Sequence, residues 1–135
     1  MTRCTNCGPG LFPDSASAHE TNASNPRTIW TAIKYGGRVA FKADNGMYLA
    51  RCTNCWNGGF PPDSAFVHVS STSDPAALWT PYLMPDGRWA FKSDLGRHLA
   101  KCISCVKSTS ILHFTFAHVD SPYEGSWANW YVDTR

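Results

Sequence analysis

The sequence predicts an all-β fold, and three observations support that prediction. The first is an internal repeat, because the stretch Arg38–Cys55 returns fifty residues later as Arg88–Cys105. The second is the alternation of apolar and polar residues, as in Trp89–Lys92, which is typical of a half-buried strand. The third is that clusters of Pro, Gly, Ser and Asp separate these stretches, while none of helical length shows helical periodicity.

Three copies of the repeated unit form one predicted domain over residues 1–50, 51–100 and 101–135. Each copy contains about four strands, which in the second copy are roughly Tyr48–Cys52, Ala65–Val69, Leu78–Leu83 and Arg88–Lys92. Three four-stranded repeats predict a β-trefoil, in which six strands form a barrel and three hairpins cap it, since propellers need about four or more blades. One tryptophan recurs in each copy and is expected to fill the core; these are Trp30, Trp79 and Trp130.

The hairpin of the second copy turns at Asp94-Leu95-Gly96, where Gly96 can adopt a positive φ without steric cost. The third copy is truncated and ends before an equivalent hairpin. The predicted barrel therefore lacks its last strand, and bare strand edges favour pairing with another chain. We expect a homodimer across the incomplete edge, or flexible terminal residues covering it; a shift of the remaining strands is the alternative.

Composition narrows the range of functions. The chain has 135 residues and a formal net charge of +2, which gives no reason to expect a nucleic-acid partner. No apolar run approaches the roughly 20 residues of a membrane span. Met1-Thr2-Arg3 leads directly into the repeat, which predicts no signal peptide and a cytoplasmic location, with a secreted mature form left open.

One part of the repeat is similar to a known family. Trp79-Thr80, followed by Trp89–Lys92 and then by Ser93–Ala100 (S-D-L-G-R-H-L-A), resembles the fascin-like, or actin-crosslinking-type, β-trefoil superfamily. The resemblance covers all three copies, and its specific part is the hairpin. It implies the trefoil fold and a binding role, because members include actin bundlers and similar trefoils serve as lectins or as targeting modules of toxins. The C-x-x-C segments are not part of the fascin pattern, so no actin-binding residue is carried over.

All six cysteines fall into three C-x-x-C pairs, one in each copy. One interpretation is a short structural disulfide in each loop. A second is zinc, because two thiolates and an imidazole are zinc ligands, although a closed site needs a fourth ligand and none recurs with the repeat. A third is redox catalysis, which normally needs a C-x-x-C at a helix N-terminus, and no helix is predicted. We therefore expect no cofactor, with zinc as the alternative; its candidate ligands are Cys4, Cys7, His19, Cys52, Cys55, His68, Cys102, Cys105 and His118.

The repeat favours a non-enzymatic binding module with several similar shallow sites. The sequence has no nucleophile elbow and no phosphate-binding glycine loop. The first hypothesis is glycan binding, because sugars need an aromatic face for their C–H groups and planar polar groups for their hydroxyls. The candidate ligand-binding residues are Asn6, Asp14, His19, Asn54, Trp56, Asp63 and His68.

Each of these candidates also has a structural interpretation. Asp14 and Asp63 follow prolines, where a carboxylate often accepts backbone N–H bonds in a turn. The third copy has Leu112-His113-Phe114 at this place, which predicts a degenerate third site. Trp56, Trp89 and Trp127 do not all recur, so some of these three are freer to face a ligand. A protein partner such as actin is the second hypothesis, and a scaffold or storage role is the third.

Overall fold

The structure is a computed structural model that describes residues 1–123 and 127–133. The described residues form ten strands and two short 3₁₀ helices, Pro26–Thr28 and Pro75–Ala77, and they include no α-helix. None of these helices has the length and hydropathy needed to cross a bilayer. The all-β prediction is confirmed. The strands are β1 Thr2–Thr5, β2 Asp14–Ser17, β3 Thr31–Tyr35, β4 Arg38–Lys42, β5 Tyr48–Thr53, β6 Asp63–Val69, β7 Thr80–Leu83, β8 Trp89–Lys92, β9 His98–Ile103 and β10 His113–Val119.

The strands form one curled antiparallel sheet, in the order β3-β4-β5-β6-β2-β10-β9-β8-β7, with β1 on β2. A further pairing joins β6 to β10, so β2, β6 and β10 each contact the other two. These three strands occupy the same place in the three sequence copies. Their contacts repeat in the cyclic order β2, β6, β10 and back to β2. In each contact the second residue of one strand faces the fourth residue of the following strand. The pairs are Ser15 with Phe66, Ser64 with Phe116, and Phe114 with Ser17.

The predicted hairpin of the second copy is correct at its turn, because β8 and β9 pair at Lys92 and His98 and Gly96 has a φ of 92°. Beyond that single pair the two strands diverge. β8 takes most of its partners from β7, and β9 takes most of its partners from β10. The hairpins with extended pairing are therefore β3–β4 and β7–β8, which form the two ends of the sheet.

The main hydrophobic core contains the recurring tryptophans, as predicted. Trp79 is fully buried, and Trp30 and Trp130 are partly buried against the same cluster. Each indole N–H donates to a main-chain carbonyl 29, 30 or 31 residues earlier in the chain, and the three acceptors are Met1 O at 3.0 Å, Leu49 O at 3.1 Å and Leu99 O at 3.0 Å. A buried indole needs such an acceptor, so these bonds hold each tryptophan in an equivalent position.

Two of the tryptophans also hold the neighbouring hairpin by main-chain bonds. Val39 exchanges two hydrogen bonds of 2.8 Å with Trp79, and Trp89 exchanges bonds of 2.8 and 2.7 Å with Trp130. Among residues 1–123 and 127–133, Trp30 makes no such bridge. The homodimer predicted from the incomplete edge stays a prediction.

Candidate binding site

Arg3 and Arg51 each lie at the centre of an ion-pair network that joins two parts of the chain. Arg3 contacts Asp44 through Nε at 2.6 Å and Nη2 at 2.9 Å, and its Nη1 contacts Asp14 at 2.7 Å. These networks were not predicted, because the sequence shows only a basic residue before each C-x-x-C pair.

The second network repeats the first with the same atoms. Arg51 contacts Asp94 through Nε at 2.6 Å and Nη2 at 3.1 Å, and its Nη1 contacts Asp63 at 3.2 Å. Hydrogen bonds from the Arg3 guanidinium hold the pKa of Asp44 below its ordinary value, and those from Arg51 do the same to the pKa of Asp94.

Two predicted ligand-binding carboxylates, Asp14 and Asp63, are therefore occupied within these networks. Each also accepts a hydrogen bond from a threonine hydroxyl, Thr5 or Thr53. The structural alternative, that these carboxylates accept backbone N–H bonds in a turn, is wrong, because their partners in the structure are side chains. The threonine and the arginine both contact Oδ1, and Oδ2 of Asp14 also accepts a 3.2 Å bond from Asn45 Nδ2, so these side-chain contacts hold each carboxylate within its network.

The six cysteines form three disulfides, Cys4–Cys7, Cys52–Cys55 and Cys102–Cys105. The residue before the second cysteine of each pair has a positive φ, and Asn6 at 55° and Asn54 at 57° are tolerated there because asparagine adopts the left-handed region more easily than most residues. Asn6 and Asn54, predicted to bind a ligand, thus have a role in the turn. A sulfur in a disulfide is not a thiolate ligand, and no group of three or more His, Cys, Asp or Glu within the described residues could hold a metal ion. The expectation of no cofactor, with zinc as the alternative, stays a prediction.

The three disulfide loops pack together around Trp56. This residue is only 6% exposed, and its ring lies 4.7 Å from the rings of Phe66 and Phe114. Main-chain bonds connect the loops, since Leu11 N donates to Cys55 O at 2.8 Å and Phe60 N donates to Cys105 O at 3.1 Å. Trp56 is a core residue of this disulfide cluster, and its indole face is closed to a ligand.

The histidines at the end of β2, β6 and β10 have different surroundings. His68 is half-buried, lies 4.7 Å from the ring of Phe12, and has Nδ1 3.4 Å from Phe66 O. Burial lowers the pKa of His68. His118 Nδ1 lies 3.4 Å from Phe116 O, whereas His19 is exposed. The predicted ligand residues of the first two copies are thus divided among networks, turns, a core cluster and strand ends.

An open depression lies in the third copy instead, and we call it the Trp127 groove. It has a volume of about 440 Å³ and is lined by Lys101, Cys102, Ile103, His118, Val119 and Trp127. Trp127 is 41% exposed, and its carbonyl accepts a 3.1 Å bond from Lys101 N on β9, which holds the Trp127 main chain beside the strand. None of the seven residues predicted to bind a ligand lines this groove.

Substitutions in the third copy explain why the groove is open there. Lys101 stands where the other copies have Arg3 and Arg51, and Ile103 stands where they have the threonine of the network. His113 replaces the proline-linked aspartate. No ion-pair network of the Arg3 type forms at this place within the described residues. The sequence does contain a signal for the difference at this place, because three network positions change together in the third copy.

A second depression, the Arg88 groove, has a volume of about 310 Å³ and is lined by Met84, Pro85, Asp86, Arg88, Tyr123 and Asn129. Arg88 pairs with Asp86 at 2.6 Å, and its guanidinium lies 5.8 Å from the centre of the Tyr131 ring. The Tyr123 hydroxyl lies 3.1 Å from that of Tyr82, and this bond raises the pKa of Tyr123. This groove therefore offers planar polar groups beside an aromatic ring.

Comparisons with known proteins inform the fold alone. No family model matches the sequence, and no curated protein matches it. Among solved structures, the chain is similar to a chain in the crystal structure of the Haemophilus ducreyi cytolethal distending toxin, with a TM-score of 0.59 and 14% sequence identity. The match covers 98% of this chain and 81% of that chain. The fascin-like resemblance is not confirmed by these comparisons.

Proposed function

We propose that this protein is a non-enzymatic, glycan-binding module with a β-trefoil arrangement. The cyclic contacts of β2, β6 and β10 support the trefoil, because each strand meets the next through the same two positions. The three indole-to-carbonyl bonds support it too, since they recur at equivalent places in all three copies. Three similar units around one axis suit surface recognition better than a single deep catalytic pocket.

The observation that carries the proposal is the Trp127 groove. A half-exposed indole offers a flat apolar face on which the C–H groups of a sugar ring can pack. Lys101 supplies a charged hydrogen-bond donor on the same lining, and Ile103 and Val119 add apolar surface. The sequence predicted binding sites in the first two copies. We place the site in the third copy instead, where the described residues form no ion-pair network of the Arg3 type.

The three disulfides indicate the kind of cellular compartment in which such a module would act. Three disulfides in one small domain favour an oxidising compartment, since thiols are kept reduced in the cytosol. We therefore favour the secreted mature form over the cytoplasmic location that the first residues suggested. Mass measurement of the native protein, before and after alkylation without reductant, tests the redox state; six alkylated cysteines would contradict this part of the proposal.

A glycan array, followed by calorimetric titration of the strongest ligands, tests the function. Trp127→Ala should weaken binding by about tenfold or more, because an aromatic side chain at the centre of a small interface contributes well over 1 kcal/mol. Phe60→Ala is the matched control, since Phe60 is an exposed aromatic residue outside the groove, and binding should change less than about twofold. An array without hits, or equal losses in both variants, would contradict the proposal.

Protein interaction is the second candidate function, and the ends of the sheet favour it. The strands β3 and β7 each pair with one neighbour only along the described sheet, and they carry the exposed Tyr35, Tyr82 and Leu83. Unpaired edges and exposed apolar side chains are common at protein contacts. Co-sedimentation with filamentous actin tests the fascin-like alternative, and sedimentation velocity at high protein concentration tests the homodimer.

A further inference from the structure

The first disulfide differs from the other two in the histidine beside it. His19 Nε2 lies 4.0 Å from Cys4 Sγ, and its Nδ1 is hydrogen-bonded to the Ser17 hydroxyl. Among the residues that the structure describes, this histidine-to-sulfur contact occurs only at Cys4. The hydroxyl thus fixes the ring in the orientation that directs Nε2 at the sulfur.

A single change between the copies accounts for this difference. The residue two positions before the histidine is Ser17 in the first copy, but it is Phe66 in the second and Phe116 in the third. A phenylalanine has no side-chain hydroxyl, and His68 and His118 both direct Nδ1 at its main-chain carbonyl and pack against its ring in an edge-to-face arrangement. A serine offers a side-chain hydroxyl instead, and the imidazole turns towards the disulfide.

The two sulfurs of the first pair are unequally accessible. Cys4 is 5% exposed and lies in β1, while Cys7 is half-buried at the end of the loop. In the second copy the corresponding Cys55 is only 3% exposed and belongs to the cluster around Trp56. An external thiolate therefore reaches Cys7 more easily than Cys4 or Cys55. Cys105 is half-buried like Cys7, so the histidine contact, rather than exposure, distinguishes the first pair from the third.

We propose that Cys4–Cys7 is a thiol–disulfide exchange site whose substrate is a low-molecular-weight thiol of the glutathione class. The thiolate sulfur of the substrate attacks Cys7 Sγ and forms a mixed disulfide there, while the bond between Cys7 and Cys4 breaks. The electron pair of that bond passes to Cys4 Sγ, which leaves as a thiolate. The step requires the tautomer in which the Ser17 hydroxyl donates to His19 Nδ1, so that the ring proton is on Nε2 and forms a hydrogen bond to the departing sulfur.

The experiment uses the whole oxidised chain and reduced glutathione as the probe. Samples are quenched with acid, alkylated and digested with trypsin, which places the three pairs in separate peptides, 4–27, 52–88 and 102–107. Mass spectrometry then gives the opening rate of each pair. We expect Cys4–Cys7 to open first, with glutathione on Cys7 rather than on Cys4.

Variants separate the role of the histidine from that of simple exposure. His19→Phe should slow the opening of Cys4–Cys7 by about tenfold, because the departing thiolate loses its hydrogen-bond donor. The rate at Cys102–Cys105 should stay unchanged and serves as an internal control for folding. His68→Phe is the matched control and should leave the first pair unaffected.

Four results would overturn the proposal, and three of them concern the first pair directly. These are equal opening rates at the three pairs, glutathione on Cys4, or a His19→Phe variant that opens its first pair as fast as the unmodified chain. If His19→Phe alters the rate at Cys102–Cys105 as well, the effect is general loosening of the fold and the proposal is also wrong.

Discussion

Removing the guanidinium of Arg51 should destabilise the fold strongly, because this group connects the first strand of the second copy to the β8–β9 turn. It makes four hydrogen bonds, two to Asp94, one to Asp63 and one to Thr53, and its side chain is 15% exposed. A hydrogen bond to a charged partner contributes about 1.5–3 kcal/mol. Bonds that share one group do not add, and partial solvent access reduces each of them.

We therefore expect Arg51→Ala to lower the free energy of unfolding by about 3 kcal/mol, because two carboxylates remain close together without their cation. For a chain of 135 residues, that loss corresponds to a fall in Tm of about 10 °C. Urea titration followed by circular dichroism gives the free energy, and an unchanged slope against urea shows that the unfolding reaction is the same.

Two control variants make this test specific. Arg51→Lys keeps the charge but loses the two-pronged contact with Asp94, so about half of the loss should remain. Lys101→Ala, at the equivalent place of the third copy, should change the free energy of unfolding by no more than about 0.5 kcal/mol. A loss below about 1 kcal/mol for Arg51→Ala would refute the reasoning, since solvent would then replace the network without cost.

Two further predictions concern the same fold. The pKa values of Asp44 and Asp94 are lowered in the folded chain. The two carboxylates therefore contribute to stability above their unfolded pKa of 3.8, and this contribution is lost as the pH falls from 3.8 through the lower folded pKa. Urea titrations at decreasing pH should show this loss, and a flat profile would contradict it. Gly10→Ala should lower the free energy of unfolding by about 1–3 kcal/mol, because a Cβ would lie 2.9 Å from the Phe66 ring. Gly37→Ala is the control and should be almost neutral, because a Cβ there meets nothing within 4 Å. Equal shifts in Tm for the two variants would contradict this prediction.

The repeat allowed much of the fold to be predicted from the sequence. The structure places β5, β6, β7 and β8 within two residues of the predicted strand bounds. The turn at Gly96 and the burial of the recurring tryptophans followed from local patterns as well. These features depend on residues close together in the chain or on positions that recur.

The site could not be predicted in the same way, because its contacts join distant residues. Arg3 meets Asp44 across 41 positions, and nothing local distinguishes Asp44 from any other turn aspartate. Trp56 and Trp127 both fail to recur, yet the first fills the cluster between the disulfide loops and the second is exposed. Burial of a single tryptophan depends on how three loops meet, which alternation along one strand does not reveal.

The most direct test of the account is a ¹⁵N–¹H NMR titration that follows the indole N–H signals of the six tryptophans while common mono- and oligosaccharides are added. If the groove binds a glycan, the signal of Trp127 should shift in a saturable way, while the signals of Trp56 and the core Trp79 should keep their positions. Saturable shifts at Trp56 without a change at Trp127, or no shift at any indole across the sugars, would contradict a glycan-binding groove in the third copy.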